Sequence, residues 1–136
     1  MFNKMLISLL FLVTTSAQAF HFPEELIEYV DETRIVAFVP ADDLAAAGIW
    51  MPFDSTPPLS MTDALSAVKS QIESEPKLAE ARLQNIVLAP IPHHDQQWHY
   101  VAKLTTVNGE HSEDHYLLVL MNGKVIAAMG EPDSIK

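Results

Sequence analysis

Residues 98–129 decide the fold, and they read WHYVAKLTTVNGEHSEDHYLLVLMNGKVIAAM. Near the end of this stretch, Asn122 and Gly123 separate two apolar runs. An Asn-Gly pair in this setting is typical of a β-hairpin with a type I′ turn, because both central residues of that turn have φ > 0. We therefore predict two antiparallel strands, over residues 116–121 and residues 124–128.

The predicted turn also sets the register, with Met121 opposite Lys124 and Val119 opposite Ile126. Side chains alternate between the two faces of a sheet, so this register assigns every residue of the hairpin to a face. Both faces are then apolar. One carries Leu117, Val119 and Ile126, and the other carries Leu118, Leu120, Val125 and Ala127.

The strand before this hairpin is predicted over residues 98–107, and its connection to the hairpin stays open. If Asn108-Gly109 is a second two-residue turn, Lys103 lies opposite Asp114, which is a favourable cross-strand pair. The alternative is a looser loop over residues 108–114. We favour the loop, because this segment is too polar for pairing in the middle of a sheet.

The first nineteen residues have the pattern of a secretory signal peptide, with Lys4, an apolar run over residues 5–13 and the small-residue site Ala17-Gln18-Ala19. The apolar run is shorter than the about 20 residues of a membrane span. The chain has no cysteine for a lipid anchor or a disulfide. We predict cleavage after Ala19, a periplasmic or secreted location, and one domain over residues 20–136.

The clearest helix in the sequence spans residues 60–74. Ser60 is the predicted N-cap, with Asp63 in the capping-box position. The apolar side chains recur at helical spacing on one side of this segment, which makes the helix amphipathic. These residues are Met61, Leu65, Val68 and Ile72.

The N-terminal part of the domain is predicted as a short helix that opens at Pro23-Glu24-Glu25 and ends at Asp31-Glu32, because proline and the two glutamates suit a helix start. A strand over residues 34–39, a helical turn over residues 42–47 and a further strand over residues 83–89 follow.

Together these elements predict an α+β fold. An amphipathic helix packs on an antiparallel meander of three to four strands, and the N-terminal helix/strand segment covers the rest. One helix covers only one apolar face, so the other face is covered by residues 34–53 or by a second subunit. In the first case, which we favour, Phe38 and Trp50 are buried. Monomer and homodimer both stay open.

Charge narrows the range of partners. The chain has 18 acidic and 8 basic side chains and a formal net charge of -10 at pH 7. Nucleic acids and anionic membrane surfaces bind basic faces, so neither is an expected partner. We interpret the acidity mainly as solubility, with binding of a basic partner or of cations as the alternative. The predicted partner is an unspecified protein or peptide.

The histidines are the only concentrated reactive residues. One group contains His93, His94 and His99, and the other contains His111 and His115. Histidine together with nearby carboxylates can bind Zn²⁺ or Cu²⁺, so a periplasmic metal-binding protein is the alternative function. The spacing is loose, however, and we predict no metal site, cofactor or catalytic residue.

An enzyme has little support in the sequence. The chain lacks a Gly-x-Ser-x-Gly elbow and a glycine-rich phosphate loop, and it has only four glycines. A small hydrolase or isomerase of unspecified type is therefore the third hypothesis. Trp50, Phe53 and Trp98 form either an aromatic binding platform or part of the core, and we favour the core.

Residues 59–128 resemble the PepSY domain. The resemblance rests on a helix, three antiparallel strands and the closing sequence Val-Leu-Met-Asn-Gly-Lys-Val-Ile. It implies an exported non-enzymatic module, a class of domain that is sometimes fused to peptidases as an inhibitory propeptide. Residues 34–58 lie outside the resemblance, and it transfers no functional residue to this chain. We expect an exported binding or regulatory module.

Overall fold

The computed structural model describes residues 22–131, so the predicted signal peptide, residues 1–19, lies outside the described residues. The strands are β1 (Glu24–Val30), β2 (Thr33–Val39), β3 (Arg82–Pro90), β4 (Trp98–Asn108), β5 (His111–Leu120) and β6 (Val125–Gly130). The helices are α1 (Ala41–Ala47) and α2 (Met61–Ser74), followed by a 3-10 turn at Pro76–Leu78.

The six strands form one antiparallel sheet in the order β1-β2-β6-β5-β4-β3. The sheet curls into a half-barrel, and strands hold 45% of the described residues against 22% for helices. The predicted α+β architecture, a helix on a three- to four-stranded meander, is therefore wrong. The protein is mostly β.

The largest local error concerns residues 24–30, which were expected to be helical and form β1. This strand pairs with β2 along its whole length, from Glu24 opposite Val39 to Val30 opposite Thr33. Asp31 and Glu32 make the turn with φ of 47° and 66°. Because this turn lacks the glycine or asparagine that usually marks such a conformation, nothing in the sequence outweighed the helix-like start at Pro23.

The β5–β6 hairpin exists, but its turn differs from the prediction. The loop has three residues, because Val119 lies opposite Val125, and the Leu120 N–H donates to the Lys124 carbonyl oxygen at 2.9 Å. Within the loop only Gly123 has a positive φ, 86°. The register is thus shifted by one residue, which moves Ile126 to the other face, opposite Leu118.

The β4–β5 connection follows neither of the two predicted forms. Gly109 and Glu110 form a two-residue turn, and pairing continues through the polar segment. Lys103 lies opposite Tyr116, and Asp114 lies opposite Thr105. Central pairing of a polar segment is possible because its side chains stay mostly exposed near this end of the sheet.

The predicted helix α2 is confirmed, including its first residue. The Ser60 Oγ accepts a hydrogen bond from the Asp63 N–H at 3.1 Å. α2 packs on the convex side of the sheet, which we call the outer face, and buries Ala64 and Val68. The Tyr100 Oη donates to the Leu59 carbonyl oxygen at 2.6 Å, which ties the start of α2 to β4.

The concave side, which we call the inner face, is partly closed by the curl of the sheet, which brings Glu28 of β1 to His99 of β4. The inner-face core contains Leu26, Ile35, Ala37, Val39, Val101, Leu118, Leu120 and Ile126. The expectation that residues 34–53 bury both large aromatics is half correct. Trp50 is buried, but Phe38 lies on the outer face and is 48% exposed.

Candidate partner-binding surface

His99 is a structural residue of the inner face and is completely buried. Its Nδ1 lies 2.8 Å from the Ala89 carbonyl oxygen, and its Nε2 lies 2.8 Å from Oε2 of Glu28. β4 supplies the histidine and β1 supplies the carboxylate, so this contact connects strands that are not neighbours in the sheet. Both ring nitrogens have protein partners, and neither faces solvent.

Two further polar contacts connect the same parts of the molecule. His94, in the loop before β4, contacts the Glu24 carboxylate through Nε2. The Nζ of Lys103 lies 3.0 Å from Oδ2 of Asp31, which is in the β1–β2 turn. The same Nζ lies 3.7 Å from a carboxylate oxygen of Asp114. The hydrogen bond with Asp31 is the main cause that raises the pKa of Lys103 above its ordinary value. We call these three pairs the β1–β4 contacts.

The second histidine group lies elsewhere. His115 is on the outer face, with its Nε2 2.8 Å from Oγ1 of Thr106. It pairs opposite Leu104, an odd number of residues from His99 along β4, so the two histidines lie on opposite faces. His93 and His111 are exposed in turn or strand-end positions.

The structure therefore does not bring the predicted histidine groups together. Within residues 22–131, no group of three or more His, Cys, Asp or Glu side chains is placed to hold a metal ion. In the same range, every fully buried side-chain nitrogen or oxygen has a hydrogen-bond partner.

A broad groove lies on the outer face between the end of α2 and the sheet, with a volume of about 1100 Å³. Its lining includes Leu117, Ala127, Glu75 and His115. This lining combines apolar side chains of several sizes with charged groups such as Glu75, Lys77 and Glu113. Within this lining, His115 contacts the hydroxyl of Thr106.

The aromatic residues singled out in the sequence differ in burial, and Trp98 is partly buried against the core. Trp50 is buried, and its ring meets that of Trp98 edge to face, with centroids 5.7 Å apart and planes at 84°. Phe53, three residues later, is fully exposed. The core interpretation is thus correct for Trp50 and incorrect for Phe53.

Residues 48–60 form the loop that connects α1 to α2, and its base is fixed. The Trp50 N–H donates to the Gln96 carbonyl oxygen at 2.8 Å, and the Trp50 Nε1 donates to the Ser55 carbonyl oxygen at 3.2 Å. The Gln97 side chain donates to the carbonyl oxygen of Leu44 at 2.8 Å. The loop is therefore attached to the β3–β4 connection, which in turn contacts α1.

The first part of this loop exposes apolar side chains. Ile49 is 70% exposed and Met51 is 46% exposed, and they flank the buried Trp50. Phe53 has a φ of 74°, a left-handed conformation that is rare for a bulky residue. We call Ile49, Met51 and Phe53 the apolar tip of the 48–60 loop. Three large apolar side chains exposed within five residues on a fixed base are typical of an interaction site.

The sequence held a signal for this surface, but it was ambiguous. The apolar run at residues 49–53 is interrupted by Pro52, and an interrupted run is compatible both with a core segment and with an exposed loop. Only the position of Trp50 against Trp98 decides which side chains turn inward.

No protein-family model, curated protein or solved structure matches this chain. These comparisons neither confirm nor refute the resemblance of residues 59–128 to the PepSY domain. Among the described residues, no helix has the length and apolar character needed to cross a membrane.

Proposed function

We propose that the protein is an exported, non-enzymatic binding module that holds a protein partner through the apolar tip of the 48–60 loop. The observation that carries the proposal is the combination of a fixed base at Trp50 with a fully exposed Phe53. A preformed loop loses little conformational freedom when it binds, so most of the apolar burial is available as affinity.

The size of this burial supports binding. An aromatic side chain buries about 150–250 Å², which corresponds to roughly 4–6 kcal/mol at about 25 cal/mol per Å². Ile49 and Met51 add to the same surface. Association itself costs a comparable amount of free energy, so contacts around the tip have to supply the rest of the affinity.

The placement of the histidines supports a function without catalysis. His94, His99 and His115 each contact a side chain of the protein. Groups held in this way stabilise the fold. The export part of the proposal is supported by the signal-peptide pattern of residues 1–19, and the resemblance to the PepSY domain implies the same class of function.

Site-specific photocrosslinking in the native host tests this proposal. Benzoylphenylalanine replaces Phe53 in one protein and Tyr29 in the control. Tyr29 is an exposed aromatic in β1, at the opposite end of the sheet. We expect a single abundant adduct from position 53 that is missing from position 29. Equal labelling at both positions, or no adduct at position 53, contradicts the proposal.

A further inference from the structure

The chain around the apolar tip carries charge of only one sign. From Ile35 to Val68 the sequence has no lysine or arginine, and it has four aspartates. Asp42 and Asp43 lie in the first turn of α1, and Asp63 lies in the first turn of α2. Asp54 directly follows Phe53. The segment that carries the tip is therefore acidic on both sides of it.

These four aspartates differ from the carboxylates of the β1–β4 contacts. Glu24, Glu28 and Asp31 each lie within 4.0 Å of a histidine or lysine nitrogen. Within residues 22–131, none of the four aspartates of residues 35–68 has such a partner. Their charge is not neutralised inside the described part of the molecule, so it is available to an approaching partner.

We propose that the partner is a protein with a basic surface around an apolar pocket, and that Phe53 enters this pocket. This inference rests on the proposed function and adds the chemistry of the partner. Hot spots of interfaces are large side chains that fill a pocket, while the surrounding charges set orientation and rate of association. Phe53 is the side chain that fills the pocket, and the four aspartates of residues 35–68 are the charges that set orientation and rate.

The same four aspartates make a lipid membrane an unfavourable partner for the apolar tip. A lipid surface accepts exposed apolar side chains, but the anionic headgroups of a biological membrane attract basic segments and repel acidic ones. Asp54 lies beside the residue that would insert deepest. Desolvation of this carboxylate among headgroups is unfavourable, whereas a lysine or arginine of a protein partner compensates for it.

Charge-neutralised variants test the inference. The protein with benzoylphenylalanine at position 53 is irradiated in a periplasmic extract of the native host, and the adduct yield is measured over a range of salt. We expect the yield to fall roughly five-fold between about 20 and about 300 mM NaCl, because salt screens exposed charges. In the triple variant Asp42→Asn, Asp43→Asn and Asp54→Asn, the low-salt yield falls and its salt dependence flattens.

The matched control changes the same amount of charge elsewhere. Glu32, Glu110 and Glu113 are exposed near the opposite end of the sheet, and their replacement by glutamine should leave the yield unchanged. A second variant tests the pocket, with the crosslinker at Met51 and Phe53→Gly in the same chain. Glycine readily adopts the φ of 74°, so this variant keeps the loop. We expect it to lose the adduct.

Each outcome separates the inference from the proposed function. A protein adduct whose yield ignores salt and the triple variant overturns the basic partner but leaves the binding module intact. An adduct with the mass of a phospholipid overturns the protein partner. Retention of the Met51 adduct in Phe53→Gly overturns the insertion of Phe53. The absence of any adduct at position 53 contradicts both proposals.

Discussion

Between β1 and β4, a histidine and a carboxylate lie inside the molecule, whereas in the 48–60 loop apolar side chains lie outside it. On the inner face, Glu28 and the fully buried His99 hold each other at 2.8 Å. In the loop, Phe53 is fully exposed in a left-handed conformation. Both regions reverse the usual distribution of polar and apolar groups.

The difference between the two regions lies in their partners. A buried polar group costs free energy unless it is hydrogen-bonded, and each member of the β1–β4 contacts has a partner within the chain. An exposed apolar group has no corresponding compensation inside the chain. The polar groups of the inner face are therefore satisfied within the chain, whereas the apolar tip is exposed, and we propose that a partner covers it. Substitutions should consequently affect stability in the first region and binding in the second.

The largest loss of stability is expected at Trp50, the buried residue of the 48–60 loop that lies next to the exposed tip. Trp50→Ala should lower the free energy of unfolding by about 3–5 kcal/mol, because it removes a large buried aromatic that contacts Trp98. Urea denaturation of the purified protein measures the change.

Phe53→Ala is the matched control for this substitution, because it removes a fully exposed aromatic of the same loop. Its effect should stay within about 0.5 kcal/mol. If the two variants lose equal stability, Phe53 packs against the protein, and the separation of the loop into base and tip is wrong.

A smaller effect is expected on the inner face. Glu28→Ala leaves Nε2 of the buried His99 without a partner, which should cost about 1–3 kcal/mol in thermal or urea denaturation. Glu28→Gln should recover part of this loss, because an amide can still hydrogen-bond the ring. Glu25→Ala, at an exposed position of the same strand, serves as the control and should change little. A neutral Glu28→Ala would show that the contact does not hold β1 to β4.

The smallest effect is expected at the rim of the inner face and depends on pH. The pKa of Lys103 is raised, mainly by its hydrogen bond with Asp31. The folded state thus binds this proton more tightly than the unfolded state does. The contribution is fully present below the ordinary pKa of 10.5 and is lost as pH rises through the raised value.

Comparison of the wild type with Lys103→Met isolates this contribution. Burial raises the pKa of Tyr100 in both proteins, so the effect of that residue cancels in the difference. The difference in urea midpoint should be constant below the ordinary lysine range and should shrink above it. A difference that stays constant into strongly alkaline solution would exclude the Asp31 contact.

The local elements were predictable where a single residue type determines the backbone. Ser60 fixed the start of α2, and Gly123 marked a turn between two strands. The register across this turn was predicted wrongly. A three-residue loop and a type I′ turn both place Gly123 between the same two apolar segments, so the sequence does not distinguish them. One residue of difference was enough to move Ile126 to the other face.

The curl of the sheet was not predictable, because it depends on contacts between distant parts of the chain. β2 pairs with β6 through Ile35 opposite Gly130, and no local pattern specifies such a pair. The apolar tip was missed for a related reason. Trp50 and Phe53 are both aromatic and near in sequence, and only the position of Trp98 decides which of them is buried.

The pairing of β2 with β6 also affects the order of folding. A chain that emerges with its N-terminus first completes the β1–β2 hairpin early, since that hairpin is local. The edge of β2 then stays without a neighbour until residue 130, near the end of the described chain, is available. Closure of so long a loop slows the final step. During that interval the open edge of β2 can pair with another chain, and misassembly of the protein should begin there.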